Sequence, residues 1–113
     1  MTNQLTNSTQ TLENAGSDTG LARELADLFL TTSLELSAEL QDALNTGDLE
    51  SLARTAHTFK SPLGFFGANI SVELAQTIES HSDAGTSDGL NAVVAQLLAD
   101  VDKVRSELQQ SDF

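Results

Sequence analysis

Residues 90–108, LNAVVAQLLADVDKVRSEL, decide the fold. Leu90, Val94, Leu97, Val101, Val104 and Leu108 recur at alternating spacings of four and three. This is the seam of a bundle helix, one apolar stripe with charged residues on the opposite side. A helix with a single apolar face has to bury it against other helices. The chain upstream offers three.

Working back from Leu90, residues 83–89 (DAGTSDG) read as a loop. Before it, Ala68 to Ser80 carries Ile70, Leu74 and Ile78 at four-residue spacing. Earlier still, Leu49, Leu52, Ala53, Ala56, Phe59 and Leu63 mark a third stripe, with Asp48 placed to cap it. Pro62 lies inside that stripe and is expected to kink or end the helix nearby, followed by Gly64 and Gly67. The longest pattern runs through Leu21, Leu25, Leu28, Phe29, Leu36, Leu40 and Leu44, with a weak turn at Thr32-Ser33. It predicts a helix of about 25 residues, capped by Asp18 or Thr19 and stopped at Asn45-Thr46-Gly47. Residues 1–10 are polar and aperiodic, a flexible N-terminus leading into a short helix through Leu12 and Ala15. Residues 109–113 read as a frayed tail. The expectation is therefore all-α: an antiparallel four-helix bundle over residues 11–108 with a short N-terminal helical lead-in.

Composition narrows the function. The 113 residues suit one domain. They carry 17 acidic and 5 basic residues, a formal charge of −12. That balance opposes binding to a nucleic-acid backbone or to anionic lipid, which both need clustered Lys and Arg. With no cysteine, disulfides, thiolate metal sites and cysteine nucleophiles are excluded. The first ten residues, MTNQLTNSTQ, lack the basic and apolar regions of a signal peptide, and no apolar run is long enough to span a membrane. These features predict a cytoplasmic protein. The Glu-x-x-His pattern of di-iron bundles is absent, and residues 83–94 lack the ligand alternation of a calcium loop, so no metal site is expected. There is no P-loop and no glycine-rich nucleotide loop, which argues against a kinase acting on ATP by itself.

One candidate for chemistry remains. His57 falls roughly 110° from the centre of its helix's apolar stripe, at the boundary where the ring reaches solvent. Glu50, Arg54, Lys60, Ser61 and Gly64 lie on the same side. Ser61 and Gly64, at +4 and +7, are small and leave the ring uncovered. Lys60, at +3, places an ammonium within reach of an anion on the imidazole. Residues 51–72 contain no Asp or Glu while holding Arg54 and Lys60, which predicts an acid-free surface suited to a transient negative group. The plain alternative is a surface histidine beside a solvated lysine; His81, next to a loop, is read that way.

The stretch Ala56-His57-Thr58-Phe59-Lys60-Ser61-Pro62-Leu63-Gly64-Phe65-Phe66-Gly67-Ala68 resembles the signature of histidine-containing phosphotransfer (HPt) domains. The likeness lies in the Ala-His pair, Lys at +3, a small residue at +4 and Gly-Ala at +10 and +11. It extends to Glu24–Leu30, Ala43–Asp48 and Ile78-Glu79, and covers about residues 11–108. The resemblance implies a phosphorelay carrier. His57 would accept a phosphoryl group from one receiver-domain aspartate and pass it to another, and Lys60 would stabilise its charge. Arg54, Ser61, Gly64 and Phe65 would meet the partner, and Gly67 would be structural. The implied partners are response-regulator receivers and a hybrid sensor kinase. The chain would bind no cofactor, because Mg2+ belongs to the receiver, and it would act as a monomer.

Several positions depart from the family pattern. Ser61 replaces the commoner Gly, Pro62 is unusual, Phe65 stands where a polar residue is frequent, and Ser71 where an apolar one is. The start at Met1 and the short-carrier resemblance point to a free-standing bacterial protein. The competing function is an HPt-like helical module that docks signalling partners without carrying phosphate.

Overall fold

A computed structural model describes residues 4–113. Five helices follow one another: α1 (Ser8–Asn14), α2 (Thr19–Thr46), α3 (Leu49–Phe65), α4 (Asn69–Asp83) and α5 (Leu90–Gln109). The last four form the bundle. Helix α2 packs on α3, α3 on α4, α4 on α5 and α5 back on α2, a closed ring. The links are short, so successive helices run antiparallel. Gly47-Asp48 joins α2 to α3 and Phe66-Gly67-Ala68 joins α3 to α4.

The sequence sets the helix ends through identifiable side chains. Asp18 accepts the Leu21 amide, and Asp48 accepts the Ser51 amide at 3.1 Å and the Ser51 hydroxyl at 2.8 Å. These bonds hold the Asp48 carboxyl below its ordinary value of 3.8. Gly47 takes a left-handed conformation, φ 70°, to stop α2.

All six seam residues of α5 are buried at 0–1% exposure. They meet Leu52, Phe59 and Leu63 of α3, Phe29 and Leu40 of α2, and Ile78 of α4 in one cluster. Helix α2 corrects the sequence reading. Leu21 and Leu28 are exposed; Phe29 and Leu40 are buried as expected, and the rest of the buried face is Ala22, Ala26, Ser33 and Ala43. Small residues let the helices approach closely, and large ones at the edge of the stripe stay outside. Ile70 is likewise 67% exposed, while Ser71 faces inward. The buried Ser71 hydroxyl donates to Asp100 Oδ2 at 2.9 Å, and Gln96 donates to the other oxygen. That pairing satisfies a polar position where an apolar residue would be usual.

Pro62 does not end α3 where it stands. It lies inside the helix, which continues to Phe65. The cost is one missing amide donor, which leaves the Thr58 carbonyl without its usual partner four residues on.

Both ends of the chain make contacts with the bundle. Residues 1–3 of the expected flexible stretch lie outside the described residues. The remainder is tied down: α1 begins at Ser8, and the Glu107 carboxylate accepts the Leu5 amide and both the amide and hydroxyl of Thr6. The Asn7 amide donates to Phe66 O at 2.9 Å, and Asn14 Nδ2 to Phe65 O at 2.9 Å. At the other end α5 reaches Gln109, and Phe113 packs against the core cluster.

Gly67 is the junction beneath this strap. Its φ is 74°, and a Cβ there would stand 2.7 Å from Asn7 Cβ. Gly67→Ala is therefore expected to cost about 1–3 kcal/mol through left-handed strain and displacement of the strap. Thermal denaturation reads this directly; an unchanged Tm would show that the strap does not need the close approach.

Candidate functional site

His57 stands on α3 with 66% of its side chain exposed. Its Nδ1 lies 2.8 Å from Glu79 Oε2 on α4. An ionised carboxylate only accepts, so the contact places the ring proton on Nδ1 and leaves the lone pair on Nε2, away from Glu79. The Lys60 ammonium sits 2.6 Å from Glu79 Oε1 and donates to Gln76 Oε1 at 2.8 Å. Gln76 in turn donates to the Ser80 hydroxyl at 2.8 Å. One carboxylate thus orients the imidazole and holds the lysine, and a side-chain amide completes the lysine's seat.

Local folding produces this arrangement. The turn at 66–68 folds α4 back along α3. His57 and Glu79 lie 11 residues either side of Ala68, and Lys60 and Gln76 lie 8 either side, half of their separations of 22 and 16. Residues equally distant from a tight helical turn come level with each other, so one register sets both pairs.

Glu79 enters the sequence reading only within the Ile78-Glu79 resemblance and not as a site residue, and Gln76 does not enter it. Reflection about the turn is the signal that finds them. The expected acid-free surface is corrected by the same observation. It holds along α3, but α4 brings Glu79 against His57, and Glu50, Glu79 and Asp83 line the shallow concavity beside Arg54 and His57. A stretch of sequence does not show the charge of the helix packed against it.

The remaining predicted residues divide between surfaces. Arg54 shares the concavity with His57 and donates to the Ser51 hydroxyl at 3.2 Å. Ser61 is exposed, and with Phe65 it lines a groove on the α2 side. Phe65 is half-buried and meets Phe66 edge to face, with centroids 5.1 Å apart. Gly64 faces α4; a Cβ there would meet only Val72 Cγ2 at 3.9 Å, so nothing within the chain requires glycine. Gly67 lies apart, under the N-terminal strap. Among the described residues no three His, Cys, Asp or Glu side chains are grouped to hold a metal ion.

Glu79 carries a pH signature. Its carboxyl is held below the ordinary 4.5, first by Lys60 and then by His57, against the opposing effect of burial. A carboxyl with a lowered folded value contributes stability above its unfolded value and loses it as pH falls through the folded one. Stability is therefore expected to decline below about pH 4.5 as Glu79 and Asp48 protonate. Glu79→Gln should flatten part of that decline in a series of thermal melts. The wild-type slope persisting in the variant would mean that the contacts of Glu79 contribute nothing.

The family profile for the Hpt domain matches residues 24–107. The chain belongs to the Hpt domain family. It is a histidine phosphotransfer protein of a phosphorelay. This Hpt domain is similar in structure to histidine-containing phosphotransfer protein B (HptB) from Pseudomonas aeruginosa PAO1. The TM-score is 0.86 at 23% identity, covering 96% of this chain and 95% of that one. It is also similar to the HPT domain of the Hpt sensor hybrid histidine kinase from Shewanella. There the TM-score is 0.85 at 26% identity, covering 94% of this chain and 92% of that one. No curated protein matches the sequence at a significant level. The helical bundle predicted from the sequence is the fold these structures share.

Proposed function

We propose that His57 is the phosphoacceptor and that Nε2 is the reacting atom. The observation that carries this is the Glu79 contact, which occupies Nδ1 and leaves a nucleophilic lone pair on an exposed nitrogen. In the forward step Nε2 attacks the phosphorus of a receiver's aspartyl phosphate. The N–P bond forms, the P–O bond to the carboxylate breaks, and the aspartate leaves with that electron pair. The ring keeps its Nδ1 proton and becomes cationic, and Glu79 is placed to neutralise it. Transfer to a second receiver reverses the bonds: its aspartate oxygen attacks phosphorus and the imidazole leaves neutral. This chemistry needs positioning and charge stabilisation more than a protein acid or base.

Lys60 begins on Glu79 and Gln76, one turn along from His57. Its role is to supply positive charge to the phosphoryl oxygens on the same face. Arg54 lies one turn on the other side. The partners are receiver domains, one of them in a hybrid sensor kinase, and the Mg2+ that assists transfer belongs to the receiver. The chain acts as a monomer in the cytoplasm and has no ATP-dependent activity of its own. Among the described residues no helix is long and apolar enough to cross a membrane.

The test is to incubate the protein with a phosphorylated receiver and locate the phosphoryl group by phosphorus–nitrogen NMR. Phosphorus coupled to Nε2 of His57 is the expected result. A phosphoryl group on Nδ1, on His81 or on a carboxylate overturns the assignment, as does labelling by ATP alone.

A further inference from the structure

Lys60 has two partners on α4, and only one of them is charged. Its ammonium lies 2.6 Å from Glu79 Oε1 and 2.8 Å from Gln76 Oε1. The lysine side chain is 24% exposed against 66% for His57, so the cation is held in place while the imidazole reaches solvent. An ammonium only donates hydrogen bonds, so Gln76 turns its carbonyl oxygen towards Lys60. Its amide nitrogen then faces the other way and donates to the Ser80 hydroxyl at 2.8 Å, one turn further along α4. Both ends of the amide are engaged, and these two contacts fix its orientation.

The second partner is neutral in a chain rich in acids. Of 113 residues 17 are acidic, and Glu73 and Glu79 lie three residues either side of Gln76 on the same helix. A carboxylate at position 76 would hold Lys60 more strongly than an amide does. The charges in the phosphorylated state show what the amide provides. Once His57 carries the phosphoryl group, its ring is cationic and faces Glu79 Oε2, and the phosphoryl oxygens draw Lys60. A second carboxylate would compete with those oxygens for the ammonium and would repel them. An amide oxygen does neither. The ammonium has three N–H donors, so it can keep one on Gln76 while another leaves Glu79 Oε1 for the phosphoryl group.

We infer that Gln76 is a positioning residue for the phosphorylated state, a neutral anchor on which Lys60 pivots from Glu79 to the phosphoryl oxygens. The inference rests on the phosphotransfer reading and deepens it. Glu79 serves the imidazole, and Gln76 keeps the lysine on the reacting face before and after transfer. What Gln76 sets is the lifetime of the phosphohistidine. In hydrolysis a water oxygen attacks phosphorus and the N–P bond breaks. The ring takes back the electron pair and keeps its Nδ1 proton, and the phosphoryl group leaves as dihydrogen phosphate. Lys60 on the phosphoryl oxygens stabilises the charged state that precedes this loss, and Gln76 holds Lys60 there.

The test needs no partner. Phosphoramidate charges His57 directly: Nε2 attacks its phosphorus, the P–N bond of the reagent breaks and ammonia leaves. After the reagent is removed, phosphorus NMR follows the decay of the phosphohistidine signal, so the rate of charging does not enter. Gln76→Met keeps the shape of the side chain and removes both polar contacts, and Gln76→Glu keeps the shape and adds a charge. Gln76 is exposed, so both variants should fold. The lifetime should fall about three- to tenfold in each. In a Lys60→Ala background, itself short-lived, Gln76→Met should change nothing further, because the amide acts only through the lysine. A loss smaller than about threefold in Gln76→Met, or the same loss with Lys60 already removed, overturns the inference. So does a wild-type lifetime in Gln76→Glu, because neutrality is then not required. Each of these outcomes leaves phosphohistidine at position 57 and the phosphotransfer reading intact. A wild type that phosphoramidate does not charge on His57 overturns both.

Discussion

His57→Gln is expected to give a folded protein that accepts no phosphoryl group. The imidazole is mostly exposed, and its one strong contact is with Glu79, to which a glutamine amide can still donate. Exposed substitutions of this kind change stability by about 0.5 kcal/mol or less. The chemical effect is total in kind, because an amide nitrogen has no available lone pair with which to attack phosphorus. Acceptance from a phosphorylated receiver should fall by about a thousandfold or more, to the level of the blank. The matched control is His81→Gln, which removes the other histidine, exposed on α4 two residues after Glu79 and so turned about 200° away from it around the helix, and should transfer at the wild-type rate. Residual label on His57→Gln, or loss of label in His81→Gln with His57 intact, would refute the assignment.

Phe59→Ala carries the largest expected loss of stability. Phe59 is fully buried, two residues from His57, in the cluster that joins all four bundle helices. Removing a buried ring of this size costs about 3–5 kcal/mol from lost transfer energy and the cavity left behind. Total stability of such a domain is about 5–15 kcal/mol, so the variant would be marginal at physiological temperature. Denaturant unfolding should show a lower midpoint with a similar slope. Ile70→Ala is the contrast: the spacing along α4 placed Ile70 in the same core, yet it is exposed and its loss should be nearly neutral. Equal losses in the two variants would mean that the core is packed differently.

These two residues show what the sequence could and could not convey. The α5 stripe was legible because every seam position is both large and buried, so hydropathy and burial coincide. Along α2 they separate. Ala22, Ala26, Ser33 and Ala43 form much of the buried face, and a reading weighted towards leucine favoured Leu21 and Leu28 at its edge. Small residues give little hydropathy signal even where close packing depends on them. At the site, His57 and Lys60 were visible because they share one helix. Glu79 and Gln76 were not, because their importance arises from the neighbouring helix and its register. The extent of α3 past Pro62 was hidden for a related reason: the proline loses one helical hydrogen bond, and burial of Leu63 and Phe66 beyond it, which a local reading does not weigh, offsets that loss.

The turn at 66–68 has a kinetic consequence. His57, Lys60, Gln76 and Glu79 all fall within a single helical hairpin, and the farthest pair is separated by 22 residues. The entropy lost in bringing chain segments together grows with the length of the loop closed, and contacts between near neighbours in sequence form soonest. The reactive constellation can thus take shape once α3 and α4 dock, without waiting for the distant pairing of α2 with α5. Mutations that weaken that distant pairing should chiefly accelerate unfolding and leave assembly of the reactive hairpin little changed.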